Sequence, residues 1–139
     1  MKLVVDTNVL VSAFLWKGTP GRLIELAGEK ECRLFTSRVL IDELAEVLQS
    51  KKLAKQVQAT GFTVAQMLRN YQKLATTVTA RRLAQQVSRD ADDDAVLACA
   101  LAAQADLIVS GDDDLLVLKQ FQGMRIVTAA QAVKSFTTP

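Results

Sequence analysis

The chain has 139 residues, half of them hydrophobic, which is enough for one globular domain with a core of its own. Seventeen basic and fifteen acidic residues give a formal net charge of +2, so total charge alone does not indicate a polyanionic partner. Because histidine is absent, a Ser-His-Asp triad and most zinc sites are excluded, and any catalysis must use carboxylates, hydroxyls, amines or a metal.

Short apolar runs alternate with helical patterns along the chain. Strands are predicted at KLVV before Asp6, RLFT before Ser37, TTVTA around Thr77, DLIVS ending at Ser110 and MRIVT ending at Thr128. Capping-box spacing marks two helix starts, at Thr63 with Gln66 and at Thr128 with Gln131. The alternation predicts an α/β fold: a single three-layer domain over residues 1–139, with a central parallel sheet of about five strands flanked by helices.

The first apolar run and the cysteines bear on location. The run LVVDTNVLVSAFLW is interrupted by Asp6 and Asn8 and lacks a signal-peptide cleavage site, so we expect neither a leader nor contact with a membrane. Cys32 and Cys99 lie far apart without the spacing of metal ligands, which predicts buried thiols in a reducing compartment. We therefore expect a cytoplasmic protein.

Acidic residues follow two of the predicted strands. The first strand ends in Asp6, and the fourth is followed by Asp112, Asp113 and Asp114 just past Gly111. Because ligands bind at the carboxyl ends of parallel strands, these acids are predicted to gather at one edge of the sheet.

A further carboxylate comes from the helix SRVLIDELAEVLQ. Glu43 lies within an apolar stripe formed by Val39, Leu40, Leu44 and Val47. A carboxylate there costs about 2 kcal/mol or more unless it is paired, neutralised or bound to a cation. A salt bridge to Arg38, or a helix register that exposes Glu43, are the alternatives. Asp42 and Glu46 are expected on the opposite face.

The stretch RDADDDAVLACA concentrates negative charge at the start of an apolar helix. It is not an EF-hand loop, because Ala95 stands where glycine is needed and Leu101 where glutamate is needed. Helix capping explains one or two aspartates but not such closely spaced like charges. Helical register places Asp94 in the row of Leu97 and Ala98, so Asp94 is predicted to point inward. The remaining acids are expected to cap the helix or face solvent, namely Asp90, Asp92 and Asp93.

Four acids are therefore predicted at one sheet edge, namely Asp6, Glu43, Asp94 and Asp112. So many carboxylates cannot all ionise at close quarters without a cation, and ligation by oxygen alone favours Mg²⁺ or Mn²⁺. One or two such ions could activate water and hold a phosphodiester. The number of ions stays open.

Several stretches also resemble a known family: VVDTNVLVSAF, ELAEVL and DDDAVLACALAAQADLIVSGDDDLL, followed by a short strand and a helix. They resemble PIN-domain nucleases, in particular the VapC-like toxin components of bacterial and archaeal toxin-antitoxin pairs. The resemblance spans nearly the whole chain and keeps the order and spacing of the acids. It implies a metal-dependent endoribonuclease that hydrolyses single-stranded RNA, forms a homodimer or higher homo-oligomer, and is inhibited by a cognate antitoxin protein.

The resemblance also implies roles for individual residues. It places the catalytic and metal-binding acids on Asp6, Glu43, Asp94 and Asp112, with Asp114 as a further acid at the metal. Polar positions that orient ligands or water fall on Thr7, Asn8 and Ser110. The acidic run is heavier than in many members of the family, so Asp92 and Asp93 are alternatives to Asp94.

Basic residues offer phosphate contacts outside the acidic site. The candidates for RNA binding are Lys17 and Arg22 after the first strand, and Lys51, Lys52 and Lys55 in the helix-rich insertion between strands. An ordinary solvated helix face is the alternative for the three lysines. Phe14 and Trp16 could stack on bases, although packing in the core is the better expectation.

Two other functions compete with the ribonuclease. A phosphatase of the haloacid-dehalogenase type also carries Asp after its first strand, but it needs a second Asp where this chain has Asn8. A non-catalytic RNA-binding or protein-binding PIN-like module is the other alternative, although all four predicted acids are present.

Overall fold

The computed structural model describes residues 1–88 and 90–137. The strands are β1 Lys2–Val5, β2 Arg33–Thr36, β3 Thr76–Thr77, β4 Leu107–Val109, β5 Gln120–Phe121 and β6 Met124–Val127. The helices are α1 Thr7–Leu15, α2 Gly18–Gly28, α3 Arg38–Leu48, α4 Ala54–Ala59, α5 Val64–Leu74, α6 Ala91–Ala103, α7 Asp113–Leu116 and α8 Ala129–Thr137. A 3-10 turn, Lys51–Leu53, joins α3 to α4.

The strands form one sheet in the order β3-β2-β1-β4-β6-β5. The first five of these are parallel, and each corresponds to a strand predicted from the sequence. The sixth, β5, pairs antiparallel with β6. Gln122 and Gly123 connect the two strands with positive φ angles of 49° and 84°, as a tight hairpin requires. A two-residue strand is too short to show a period, so the sequence did not predict β5.

Alternating residues of the strands pack into two cores, one on each face of the sheet. Leu3 and Val5 of β1 belong to the core that α1, α2, α5 and α8 complete. Val4, between them, belongs to the core that α6 completes. Because successive side chains of a strand point to opposite faces, a sheet that is buried on both sides gives helix, sheet and helix layers. The predicted α/β fold with a central, mostly parallel sheet is confirmed.

Both predicted capping boxes are present. The Thr63 side chain accepts from the Gln66 N–H (3.1 Å), and the Gln66 side chain accepts from the Thr63 N–H (2.8 Å). Thr128 and Gln131 form the same pair at 3.2 Å and 2.9 Å. These reciprocal bonds fix the starts of α5 and α8, because each satisfies two N–H groups that a helix leaves unpaired.

The aromatic residues of α1 have different surroundings. Phe14 packs edge-on against Tyr71 of α5, with ring centroids 5.7 Å apart, as expected for a core residue. Trp16 is 57% exposed, so the expectation that it packs in the core is wrong. The reason is that α1 ends at Leu15, which leaves Trp16 as the residue after the last turn, outside the packed face.

The two cysteines are buried free thiols, as predicted. Among the described residues, no helix combines the length and the apolar character that a transmembrane span needs.

Candidate metal centre

Asp6 joins the end of β1 to the start of α1. One of its oxygens accepts from the Val9 N–H (3.1 Å), which caps α1, and the other accepts from the Ser110 hydroxyl. The same Ser110 oxygen accepts from the Asp112 N–H (2.9 Å). Ser110 therefore bridges the acids that follow β1 and β4, two neighbouring parallel strands.

Asp6 is only 5% exposed, and burial raises the pKa of its carboxyl above the usual value. The negative charge of Asp112 acts in the same direction, whereas hydrogen bonds from Ser110, Val9 and the Asn8 N–H oppose it. Burial therefore disfavours the ionised form of Asp6, and a bound cation would stabilise it.

Asp112 and Asp114 lie at the start of α7. Asp112 caps this helix, because its side chain accepts from the Asp114 N–H (2.8 Å). Asp114 follows in the first turn and is half-buried. This local geometry holds the Asp112 carboxylate at the carboxyl end of β4.

Glu43 is half-buried in the middle of α3, beside the fully buried Leu44. Arg38 pairs with Asp42 at 3.3 Å, and both are exposed, so the described residues do not form the alternative salt bridge between Arg38 and Glu43. Val39, which was expected on the buried stripe, is 59% exposed. The buried face of α3 is centred on Leu40, Ile41, Leu44 and Leu48, and Glu43 lies at its margin.

The pKa of Glu43 is raised to about 7. Burial is the largest cause, followed by the negative charge of Asp92, with smaller contributions from Asp6 and Asp90. A hydrogen bond with the buried Thr7 side chain works in the opposite direction. Glu43 therefore shares one electrostatic environment with the acids at the end of β1 and at the start of α6.

The acidic run at the start of α6 also contains Asp90, which acts on Glu43, and the buried Asp93. Asp90 caps the helix, because its side chain accepts from the Asp92 N–H (2.9 Å). Asp93 is 5% exposed and accepts from the Ser88 hydroxyl (3.0 Å). Burial raises the pKa of Asp93 to about 6, and the charges of Asp112 and Asp90 add to the effect while the Ser88 bond lowers it.

Asp94 does not have the predicted orientation. Its carboxylate accepts from the N–H groups of Ser88 (2.7 Å) and Val87 (3.1 Å) in the preceding segment, and the inward-facing acid is Asp93 instead. The prediction from helical register failed because α6 itself carries apolar residues on nearly every side. The row that begins with Asp93 and the row that begins with Asp94 are therefore equally suited to burial. The buried side chains of the helix are Val96, Leu97, Ala98, Cys99, Ala100 and Ala103.

Three carboxylates converge to form what we call the acidic cluster: Asp90, Asp93 and Asp112, with one oxygen of each within 4.8 Å of the others. In the described part of the chain, no lysine or arginine forms a salt bridge with these three residues. Oxygen donors without a neutralising side chain suit a hard divalent cation such as Mg²⁺ or Mn²⁺. The donor set therefore fits the predicted kind of metal.

The predicted RNA-binding residues are not part of the acidic cluster. Arg22 pairs with Glu25 (3.0 Å) and Glu29 (3.1 Å) on α2, and Lys17 is exposed just before that helix. The lysines of the insertion are also exposed, and they follow the end of α3 that points away from the acidic edge, namely Lys51, Lys52 and Lys55. A rise of about 1.5 Å per residue puts the last residue of α3 roughly 7.5 Å beyond Glu43 along the helix axis.

The sequence analysis missed Ser88 altogether and predicted Asp90 as a helix cap or an outer residue, not as a member of the cluster. Ser88 donates to Asp93, and its hydroxyl oxygen also accepts from the Asp90 N–H (3.3 Å). The spacing Ser88-x-Asp90 just ahead of a helix could have signalled this turn, because serine and aspartate favour such bonds before a first helical turn.

The fold and the site together define an α/β protein with a carboxylate pocket at the carboxyl ends of its parallel strands. A family model described as PIN domain matches residues 2–114, and the chain belongs to the PIN domain family. The resemblance read from the sequence is confirmed at this level.

Two known proteins illustrate the relationship. The uncharacterized protein MJ1680 of Methanocaldococcus jannaschii is 28% identical over 120 residues, covering 86% of this chain and 76% of that protein. A chain in the crystal structure of VapBC2 from Rickettsia felis bound to a DNA fragment from their promoter superposes with a TM-score of 0.60. That match has 16% identity and covers 91% of this chain and 97% of the other, so it shows a shared fold.

Proposed function

We propose that the protein is an endoribonuclease that hydrolyses phosphodiester bonds of single-stranded RNA with carboxylate-bound Mg²⁺ or Mn²⁺. The observation that carries this proposal is the acidic cluster, where three carboxylates meet at the end of the sheet without a cationic side chain among the described residues. Membership of the PIN domain family supports it, because PIN domains are generally nucleases.

We assign the metal to Asp6, Glu43, Asp93 and Asp112, with Asp93 taking the place predicted for Asp94. Asp90 is a further ligand on the strength of its place in the cluster, and Asp114, in the adjoining first turn of α7, remains a candidate. One or two ions are compatible with this set. When bound, such an ion activates water and stabilises the leaving oxygen.

Three hydroxyl groups orient these acids. Ser110 holds Asp6 and the backbone of Asp112, Ser88 holds Asp93, and Thr7 contacts Glu43. Ser110 and Ser88 each donate to one carboxylate oxygen and so fix the orientation of Asp6 and Asp93. Preorganised ligands of this kind lower the cost of assembling a metal site.

We further propose that the chain acts as the toxin of a toxin-antitoxin pair in the cytoplasm, as a single PIN-like domain over residues 1–139 that forms homodimers or higher homo-oligomers. Support comes from the VapBC2 structure that shares its fold. Co-expression with the product of a neighbouring reading frame tests the pairing: a stable complex with suppressed cleavage is expected, and a cleavage rate unaffected by the neighbour would oppose it.

The nuclease proposal is tested by incubating the purified chain with single-stranded RNA and, separately, with a generic phosphomonoester. Cleavage of RNA is expected with Mg²⁺ or Mn²⁺ and none with EDTA. Hydrolysis of the ester would favour the phosphatase alternative, which the exposed Asn8 at the second acid position does not support. RNA binding without any cleavage would favour the non-catalytic module.

A further inference from the structure

A cleft of about 690 Å³ opens beside the acidic cluster. We call it the arginine cleft. Its walls are the starts of α3 and α6 and the irregular segment 78–88, and they include Val39, Arg81, Arg82, Asp92, Ala95 and Ala98. Asp92 and Asp94 of its lining flank Asp93 of the acidic cluster in the sequence, and Ser88 bonds to both Asp94 and Asp93. A ligand in the cleft would thus lie next to the proposed cleavage site.

The cleft combines an apolar wall, a rim with two arginines, and the carboxylates of Asp92 and Asp94 at the start of α6. Val39 is 59% exposed although it is apolar, and alanines of α6 continue this surface. Arg81 and Arg82 are exposed, and within the described residues neither forms a salt bridge. Arg22, in contrast, forms salt bridges with Glu25 and Glu29.

The segment that carries these arginines is fixed at both ends. At one end the Val78 N–H donates to the Thr36 carbonyl (2.8 Å) of the neighbouring strand. At the other end Asp94 accepts from the N–H groups of Val87 and Ser88. Asp94 therefore holds the segment against α6, and Ser88 in the same turn holds Asp93 of the metal centre. The rim of the cleft and the acidic cluster are parts of one hydrogen-bonded unit.

We propose that the arginine cleft binds the nucleotide of single-stranded RNA adjacent to the scissile phosphate, with the base against Val39 and the α6 alanines and its phosphate on Arg81 and Arg82. The inference rests on the proposed ribonuclease function and identifies the part of the surface that takes the substrate. Charge complementarity carries it, because guanidinium groups that form no salt bridge within the described part of the chain suit phosphate, and the apolar wall suits the face of a base.

A second cleft of about 730 Å³ is also lined by Arg81 and Arg82. Phe121 of β5 lies in its wall. The two arginines thus line both clefts, so a strand that continues from the first cleft into the second would keep contact with them.

The test measures binding of a fluorescent single-stranded RNA oligonucleotide by anisotropy in EDTA, where cleavage does not interfere. Arg81→Ala/Arg82→Ala is expected to raise Kd about tenfold or more at low salt and to reduce the slope of log Kd against log salt by about 0.7, since one neutralised phosphate of a single strand contributes about 0.7. Arg69→Ala/Lys73→Ala removes the same charge from exposed positions of α5 and should leave both values nearly unchanged.

A second pair of variants tests the apolar wall. Val39→Glu is expected to weaken RNA binding about tenfold, because it replaces an apolar contact with the base by a carboxylate that repels the RNA backbone. Phe62→Glu adds the same charge at a residue that is 54% exposed outside the cleft and should have little effect. Thermal melts of all four variants identify any that fail to fold.

The outcomes separate this inference from the proposed function. Wild-type cleavage of RNA with equal KM and equal salt slope in Arg81→Ala/Arg82→Ala would overturn the arginine cleft and leave the nuclease intact. Arginine-dependent RNA binding without metal-dependent cleavage would support the cleft and overturn the nuclease. An equal loss of RNA affinity in Arg69→Ala/Lys73→Ala would show that only the net charge of the protein matters, and it would also overturn the inference.

Discussion

Glu43 and Asp42 are neighbours in the sequence with opposite surroundings. Glu43 is half-buried among other acids and has a pKa of about 7, whereas Asp42 is exposed and paired with Arg38. Below pH 4.5 the Glu43 carboxyl is protonated in both the folded and the unfolded chain. As the pH rises from 4.5 to 7, the unfolded chain releases this proton while the folded chain retains it, so the free energy of unfolding falls.

We therefore expect the Tm of the metal-free protein to fall between pH 5 and pH 8. Glu43→Gln removes the titrating group, so it should make this decrease smaller and raise the Tm at pH 8. Asp42→Asn should reproduce the wild-type profile. Thermal melts in EDTA across this pH range measure the Tm of both variants. Identical profiles for Glu43→Gln and wild type would show that ionisation of Glu43 does not cause the decrease in Tm.

Asp93 and Asp94 are a second pair of neighbours, and here the structure changes the assignment. Asp93→Asn is expected to reduce metal-dependent RNA cleavage by about 100-fold, since it removes a proposed metal ligand. Asp94→Asn keeps an oxygen that can accept from Ser88 and Val87, so cleavage should remain within a few-fold of wild type. Single-turnover assays at saturating Mn²⁺ make the comparison. The reverse order of effects would restore Asp94 as the ligand.

At the scale of elements, segment 78–88 depends on α6 for its position. Asp94→Ala removes the acceptor for two N–H groups, which should cost about 1–3 kcal/mol in the free energy of unfolding. Hydrogen exchange at Val87 and Ser88 should speed up, while that at Leu97 in the buried part of α6 should follow only global stability. Urea titration and exchange by mass spectrometry measure the two effects. Unchanged exchange at Val87 would mean that Asp94 does not hold the segment.

For the whole molecule, protons and a divalent cation compete for the same carboxylates. The pKa values of Glu43 and Asp93, about 7 and about 6, mean that both hold protons at pH 5.5 in the metal-free chain. Metal binding must displace these protons, so the rise in Tm produced by Mn²⁺ should be larger at pH 8 than at pH 5.5. Melts at matched free Mn²⁺ test this. A gain that does not depend on pH would place the metal away from these residues.

Much of the fold was predictable because its signals are local. Four of the five parallel strands are short, largely apolar runs, and both capping boxes need only residues three apart. The acids after β1 and β4 follow from the rule that the ends of parallel strands share one edge, and the structure joins Asp6 to Asp112 through Ser110. The ordered motifs were also sufficient to indicate the PIN domain family.

Other features depended on contacts between distant parts of the chain. The sequence could not distinguish Asp93 from Asp94, because α6 is apolar on nearly every side and only its packing against the sheet selects the inward row. The exposure of Trp16 depended on where α1 ends relative to its neighbours. Segment 78–88 has no hydrophobic period, so only tertiary contacts could place Arg81 and Arg82 beside the acids. Periodicity records which residues share a face, and tertiary packing decides where that face points.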